Sequence, residues 1–407
     1  MTGPAGSSRG FRPYRDVLAI PGVLHSILLM FLARMPTAAM SIIVTLHIVT
    51  HLGRGYVEAG FAATTATIGT MLGAPLVGKA LDRHGLRPVV AVCATVATAY
   101  WIGAPWLPYP ALVVVALPAG ALVVPANSIA RQVLSAAVPK DRLRAAFSLD
   151  TVMIEASFIV APTVATYLAV QFSTIAVMTA IGAVIALVAV LLLVRNPPLH
   201  AAHEQGEPAG RGTGRFLNPG LAGTLLITVG ALFALGGTEL ALVASLQAVH
   251  QVALTGVVFG MLAVASIAGG LLYGAVRRPL HQLMLIVLLA GLIVPAALVV
   301  GRPWWLLGLA LMPMQLVCAP TLAATTENVS NRTPARARGT AMGLQDAATR
   351  FGVALAASVI GFVIDNTSAA WGLAASGIGG LLFAGVAAVL LRAPVPVPSV
   401  TEARSQS

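Results

Sequence analysis

The chain has 407 residues, of which 58% are apolar and 9% charged, with a formal net charge of +11. A soluble protein of this length could not cover its core with so few polar side chains, which excludes a soluble globular fold. The basic excess falls in loops between apolar runs, where it sets orientation in a membrane, so no nucleic-acid partner is expected.

Residues 1–16 are polar and no small-residue cleavage site follows a short apolar core, so no cleavable signal peptide is predicted. Beyond them come apolar runs of roughly 20 residues or more, the length a helix needs to cross ~30 Å of hydrocarbon. They lie near 20–50, 56–80, 88–105, 109–135, 147–170, 174–194, 219–249, 256–276, 282–300, 304–328, 340–364 and 369–391. The expected fold is all-α, an integral membrane protein of twelve transmembrane helices. The 40 glycines suit close helix packing in lipid. Residues 195–218, with Pro197-Pro198 and several Gly, read as a cytoplasmic linker between an N-terminal six-helix bundle (1–194) and a C-terminal one (219–407) with a short cytoplasmic tail.

If the N-terminus is cytoplasmic, that side collects 20 Lys and Arg, among them Arg9, Lys140, Arg211, Arg215, Arg277, Arg278, Arg336 and Arg404. The other side holds only Arg54 and Arg302. The imbalance places both termini in the cytoplasm. With two Lys among 24 basic residues and a chain rich in Ala, Val and Gly, the composition suggests a bacterial inner membrane. Cys93 and Cys318 fall inside spans, so no disulfide is expected.

The halves resemble each other. Pro118 and Pro125 in the fourth span recur as Pro313 and Pro320 in the tenth, offset by 195 residues, and Pro139 and Pro334 keep the same offset. Gly73 and Gly78 match Gly269 and Gly274 at 196. Parallel six-span repeats put a substrate site at their interface near the midplane.

Ionisable residues within spans are costly and often functional. Arg34 in span one and Glu155 in span five belong to the same half and are expected to pair, as a protonatable carboxylate held by a permanent cation or as a plain structural tie. Asp346 and Arg350, four apart in span eleven, share a helical face and allow the same two readings. Glu239 follows Gly236-Gly237-Thr238, where the glycines predict a bend beside a cavity-lining carboxylate. It would recognise a cationic substrate, carry the proton, or snorkel outward. These five are the proton-coupling candidates. Asp150 and Glu327, near the cytoplasmic ends of their spans, are expected to be solvated or ion-paired. His47, His51 and His250 fall near outer helix ends, as external pH sensors or as interfacial residues without a role.

Between spans two and three runs Gly78-Lys-Ala-Leu-Asp82-Arg83-His-Gly85-Leu-Arg87, a basic loop with an acid at the helix end. The spacing Gly78, Asp82, Arg83, Gly85, Arg87 resembles the signature loop of the major facilitator superfamily, and Ala161-Pro162-Thr163-Val164-Ala165 in span five resembles a degraded form of its antiporter motif. The resemblance covers nearly the whole chain and suggests a drug/proton antiporter. It implies that Asp82 braces the start of span eleven as a conformational latch, with Arg131 as a partner. The family's mid-membrane Arg in the fourth span is missing. The family arrangement, in which spans one, four, seven and ten surround the substrate, makes Thr37, Ser41, Asn127, Glu239 and Gln315 cavity candidates, with Met312, Met314 and Trp304-Trp305 as an apolar wall.

Metal-ligand clusters, P-loops and external acid–base pairs are absent from the sequence, so neither an enzyme nor an ATP-driven pump is expected, and no cofactor beyond a proton gradient. The reading is a monomeric secondary transporter, exporting small amphiphilic or drug-like compounds against protons by alternating access. The alternatives are a sugar or amino-acid carrier, and a membrane sensor that does not transport.

Overall fold

The computed structural model describes residues 12–139, 141–197, 218–251, 254–276, 280–334 and 337–392. Most of the 195–218 linker and the basic residues Arg9, Lys140, Arg211, Arg215, Arg277, Arg278, Arg336 and Arg404 lie outside them. Among the described residues every regular element is helical, and twelve helical stretches are long and apolar enough to cross a membrane.

A short helix, α1 (Arg12–Leu18), precedes α2 (Val23–Leu46), which continues through a π-helical turn at His47–His51. Then come α3 (Tyr56–His84), α4 (Leu86–Gly103), α5 (Tyr109–Ala121), α6 (Ala126–Ala137), α7 (Leu143–Gln171) and α8 (Thr174–Arg195). The second half holds α9 (Pro219–Ala248), α10 (Thr255–Ala275), α11 (Gln282–Ala296), α12 (Trp304–Arg332), α13 (Arg338–Asn366) and α14 (Ala369–Arg392). Local chemistry sets several boundaries. Asn218 caps α9, accepting from Leu221 N at 2.7 Å with Pro219 at the first helical position. Gly85 joins α3 to α4 in a single residue at φ 76°, a conformation costly for any side chain.

Two sequence expectations need correction. The fourth span is not one helix: it breaks at Leu122–Pro125 into α5 and α6. The equivalent prolines 313 and 320 sit inside an unbroken α12. Conversely, α9 runs without a break through Gly236-Gly237. A Cβ at Gly237 would collide with Ser376 Oγ, so that glycine serves the close approach of α9 and α14.

One buried apolar cluster draws on α2 through α8, from Met30 to Leu192. A second draws on α9 to α12 and α14. The halves meet where α3 packs along α13 and α7 along α10, while α2 and α9 make no extended contact. Ser135 and Ser330, separated by the repeat offset of 195, share a hydrogen bond at 2.9 Å. Two equivalent residues can touch only at the axis relating their repeats, so this bond marks the axis on the side where the chain enters α2 and leaves α14. That side, which carries most of the basic residues, is called the basic side below.

The α3–α13 seam depends on glycine. A Cβ on Gly78 would strike the Gly339 carbonyl, and one on Gly343 the Ala74 carbonyl. Gly343→Val is therefore expected to wedge the seam open while each half stays folded. Overpacking costs ~1–3 kcal/mol and ~1.4 kcal/mol is tenfold in population. Maleimide labelling of Ser330→Cys, at a position now buried, should rise roughly tenfold in the variant, a factor set by that same energy. Unchanged labelling would contradict the packing account.

Candidate functional site

The space between the halves is sealed in layers from the basic side inward. In the outermost layer Asp82 ends α3 and caps α13. Its Oδ1 accepts from Gly339 N at 2.7 Å; its Oδ2 accepts from Thr340 N at 2.7 Å and from Thr340 Oγ1 at 2.6 Å. A helix start offers orphan amides and a positive dipole end, so a carboxylate there satisfies both. The expected contact of Asp82 with the start of span eleven is present. Arg83 and Arg87 are exposed. Arg131 points elsewhere: its Nη1 donates to Gln345 Oε1 at 3.0 Å.

The opposite seam uses the reverse polarity. Arg144, which the repeat offset of 195 relates to Gly339, donates from Nη1 to the Val276 carbonyl at 2.6 Å. A cation there meets the C-terminal end of α10. Arg144 also lies 4.0 Å from Glu327, which is thus ion-paired. Tyr14 of α1 donates its hydroxyl to carbonyls at Gly270 and Leu271, closing the same seam.

The next layer is a buried polar network. Arg34 and Asp150, each 3% exposed, form a two-pronged pair: Nη1 to Oδ1 at 2.8 Å and Nη2 to Oδ2 at 3.0 Å. Arg34 Nε donates to Asn127 Oδ1 at 2.8 Å. The expected Arg34–Glu155 pair is thus corrected to Arg34–Asp150. Five residues separate the two acids, about 140° around α7 and roughly 7.5 Å along it, so they face different neighbours. Asn127 Nδ2 reaches across to Asp346 Oδ1 at 3.4 Å, and Asp346 lies 3.8 Å from Arg350 Nε, as the four-residue spacing anticipates. Gln345 carries the network on to Thr325 and Thr326 of α12 at 3.3 and 3.2 Å. Sequence reasoning missed Gln345, because amides and hydroxyls carry no charge to mark them among 58% apolar residues.

Two cavities open beyond these layers. A small one, about 30 Å³, lies at the break in the fourth span and is lined by Thr37, Pro125, Asn127, Asp346 and Arg350 among others. A larger one, about 280 Å³, lies between α7, α9, α10 and α12. Glu155, Glu239 and Gln315 supply most of its polar lining; Phe158, Leu235, Phe259 and Met314 are among its apolar walls. Glu155 approaches Cys318 Sγ at 3.9 Å. The cavity candidates therefore divide: Thr37 and Asn127 face the small space, Glu239 and Gln315 the large one, and Ser41 lines neither. Of the expected apolar wall only Met314 lines the cavity; Met312 and Trp304 pack against the core of the second half. His47 is buried against Thr174, with Nδ1 3.0 Å from its hydroxyl, and stacks on His51.

Twelve apolar helical stretches among the described residues, in two packed sets that meet around cavities bearing ionisable side chains, define a polytopic helical membrane protein of the carrier type. The profile of the Major Facilitator Superfamily matches residues 26–314, and the chain belongs to that family. It is a transporter and not an enzyme. No curated protein sequence matches. Among solved structures, a bacterial homologue of the iron transporter ferroportin, in an outward-facing state, superposes with a TM-score of 0.73 at 16% identity, over 90% of this chain and 98% of that one. The proton:xylose symporter XylE, bound to 6-bromo-6-deoxy-D-glucose, gives 0.70 at 13% identity, covering 91% and 96%. The human organic anion transporter MFSD10 (TETRAN) gives 0.69 at 18%, covering 92% and 99%. At these identities the likeness is one of fold.

Removing Asp150 alone would strand the Arg34 charge in the interior. Asp150→Ala is expected to lower stability by about 3–5 kcal/mol. The double variant Arg34→Met/Asp150→Leu should recover most of it, read by thermal unfolding in detergent. A double variant as unstable as the single one would show that the pair is not what the region depends on.

Proposed function

We propose that the protein is a proton-coupled secondary exporter of small amphiphilic organic compounds. It would act as a monomer in a bacterial cytoplasmic membrane, with the basic side and both termini facing the cytoplasm. The observation that carries this reading is the pair Glu155 and Glu239 in one cavity whose walls are otherwise largely apolar. Apolar and aromatic walls accept varied hydrophobic shapes, and Met314 adds an adaptable surface. The carboxylates supply the oxygens for which a proton and an organic cation compete.

Exchange follows from that competition combined with alternating access. In the state closed at the basic side, protons from outside reach Glu155 and Glu239 and displace the bound compound outward. When the Asp82 latch releases α13 and the halves rock, the cavity opens to the cytoplasm, loses its protons and takes up the next cation. A sugar carrier would need a cavity dense in hydroxyl and amide partners, and this one has few.

The test is flux of tetraphenylphosphonium and of neutral drugs in proteoliposomes under an imposed pH gradient. Wild-type protein should move the cation against protons. Glu155→Gln should retain cation exchange and lose the response to the gradient. Glu239→Gln should raise the half-saturating cation concentration about tenfold, the equivalent of ~1.4 kcal/mol. Gradient-independent flux in the wild type would remove proton coupling. Ligand binding without flux would make the protein a sensor.

A further inference from the structure

The two seams between the halves are built differently at equivalent positions. In the first seam Gly78 of α3 brings backbone against backbone, since a Cβ there would strike the Gly339 carbonyl. Gly274 is its repeat equivalent in α10. A Cβ on Gly274 would instead strike the hydroxyl of Tyr14, from the short helix α1, and then the Ser148 side chain. The slot that a neighbouring backbone fills in the first seam is filled in the second by one aromatic side chain.

The sequence of α1 suits that task. Tyr14, Val17 and Leu18 share one face at helical spacing, while Arg15 and Asp16 are exposed. Tyr14 is 6% exposed and Val17 0%. Both belong to a buried cluster drawn from α2, α6 and α7, against which Leu271 and Ala275 of α10 pack. Ile20 N donates to the Val17 carbonyl at 3.2 Å and Val23 N to the Ile20 carbonyl at 3.1 Å, so a tight turn joins α1 to α2. By chain connection and by packing α1 therefore rides on the first half. Its hold on the second half is the Tyr14 hydroxyl, which donates to the carbonyls of Gly270 and Leu271. A buried phenol needs such a partner, and this one has it while α7 and α10 lie together. Opening the basic side carries α7 away from α10 and has to draw Tyr14 out of its slot. The exchange of cation and protons described above makes no use of α1.

We propose that α1 is a regulatory strap: Tyr14, seated in the slot at Gly274, holds the carrier closed at the basic side and sets the fraction of molecules open there. The inference stands whichever compound or ion the Glu155–Glu239 cavity carries.

Maleimide labelling of Ser330→Cys in the purified full chain tests it, because Ser330 is buried on the basic side and its labelling rate follows the open fraction. The reporter is combined in turn with Tyr14→Phe, Tyr14→Ala and Asp16→Ala, the last on the exposed face of α1. The rate should rise roughly fivefold in Tyr14→Phe, which loses the hydroxyl and keeps the ring. It should rise at least ~10-fold in Tyr14→Ala, which empties the slot, and stay unchanged in Asp16→Ala. Cys93, buried in the core of the first half, should remain unlabelled throughout, as read by mass spectrometry. If Tyr14→Ala does not fold, the rise in Tyr14→Phe decides. Equal rates in all folded variants, an equal rise in Asp16→Ala, or labelling of Cys93 in step with the reporter overturns the proposal.

Discussion

A bilayer cannot solvate the polar groups placed inside it, so each has to find its partner within the protein. In this structure those partners repeatedly lie across the boundary between the two halves. Asp82 of the first half satisfies the first amides of α13, and Asn127 reaches Asp346. On the second seam Arg144 and Tyr14 meet backbone carbonyls of α10. Satisfying these groups is the same act as closing the basic side. The seal is therefore assembled from polar bonds that other partners could replace. An apolar seam of equal area would offer no such exchange.

The two seams solve one problem with opposite charges. At the first, an acid on α3 meets the positive start of α13; at the second, a base on α7 meets the negative end of α10. Equivalent positions in the repeats, Arg144 and Gly339, supply the donor in both contacts, one from its side chain and the other from its backbone. Duplication explains the shared geometry, and divergence of single residues explains the inverted sign. The same divergence shows in the fourth and tenth spans, where matching prolines leave one helix broken and the other whole. The two cavities are correspondingly unlike: the one that holds Glu155 and Glu239 lies mainly in the second half, against α7, and the small one beside Asn127 lies mainly in the first half, against α13.

The spans and the contact of Asp82 with α13 were legible in the chain. Apolar run length is a direct physical requirement of the bilayer, and the spacing of the signature loop is specific. The partner of Arg34 was not legible. Depth along a helix can be counted from sequence, but the direction a side chain faces depends on how α7 is rotated against its neighbours. A rotation of about 140° separates Asp150 from Glu155. The role of Gly237 was misread for a related reason: glycine permits both a bend and a close contact, and only the position of Ser376 decides between them. Gln345, Thr325 and Thr326 carry no charge, so nothing in their identity separates them from other small polar residues in spans.

The most direct test of the account is whether the basic side and the opposite side move as one. Cys93 and Cys318 are buried, which leaves introduced cysteines as the labelled sites. Spin labels at His84 and Asn331 report the basic side across the halves, and labels at Phe172 and His250 report the opposite side; all four positions are exposed. Pulsed electron–electron distances would be compared between wild type and Asp82→Asn. The account predicts that the substitution lengthens the first distance and shortens the second in the same population of molecules. A basic side that opens with no change opposite, or two distances unchanged, would contradict it.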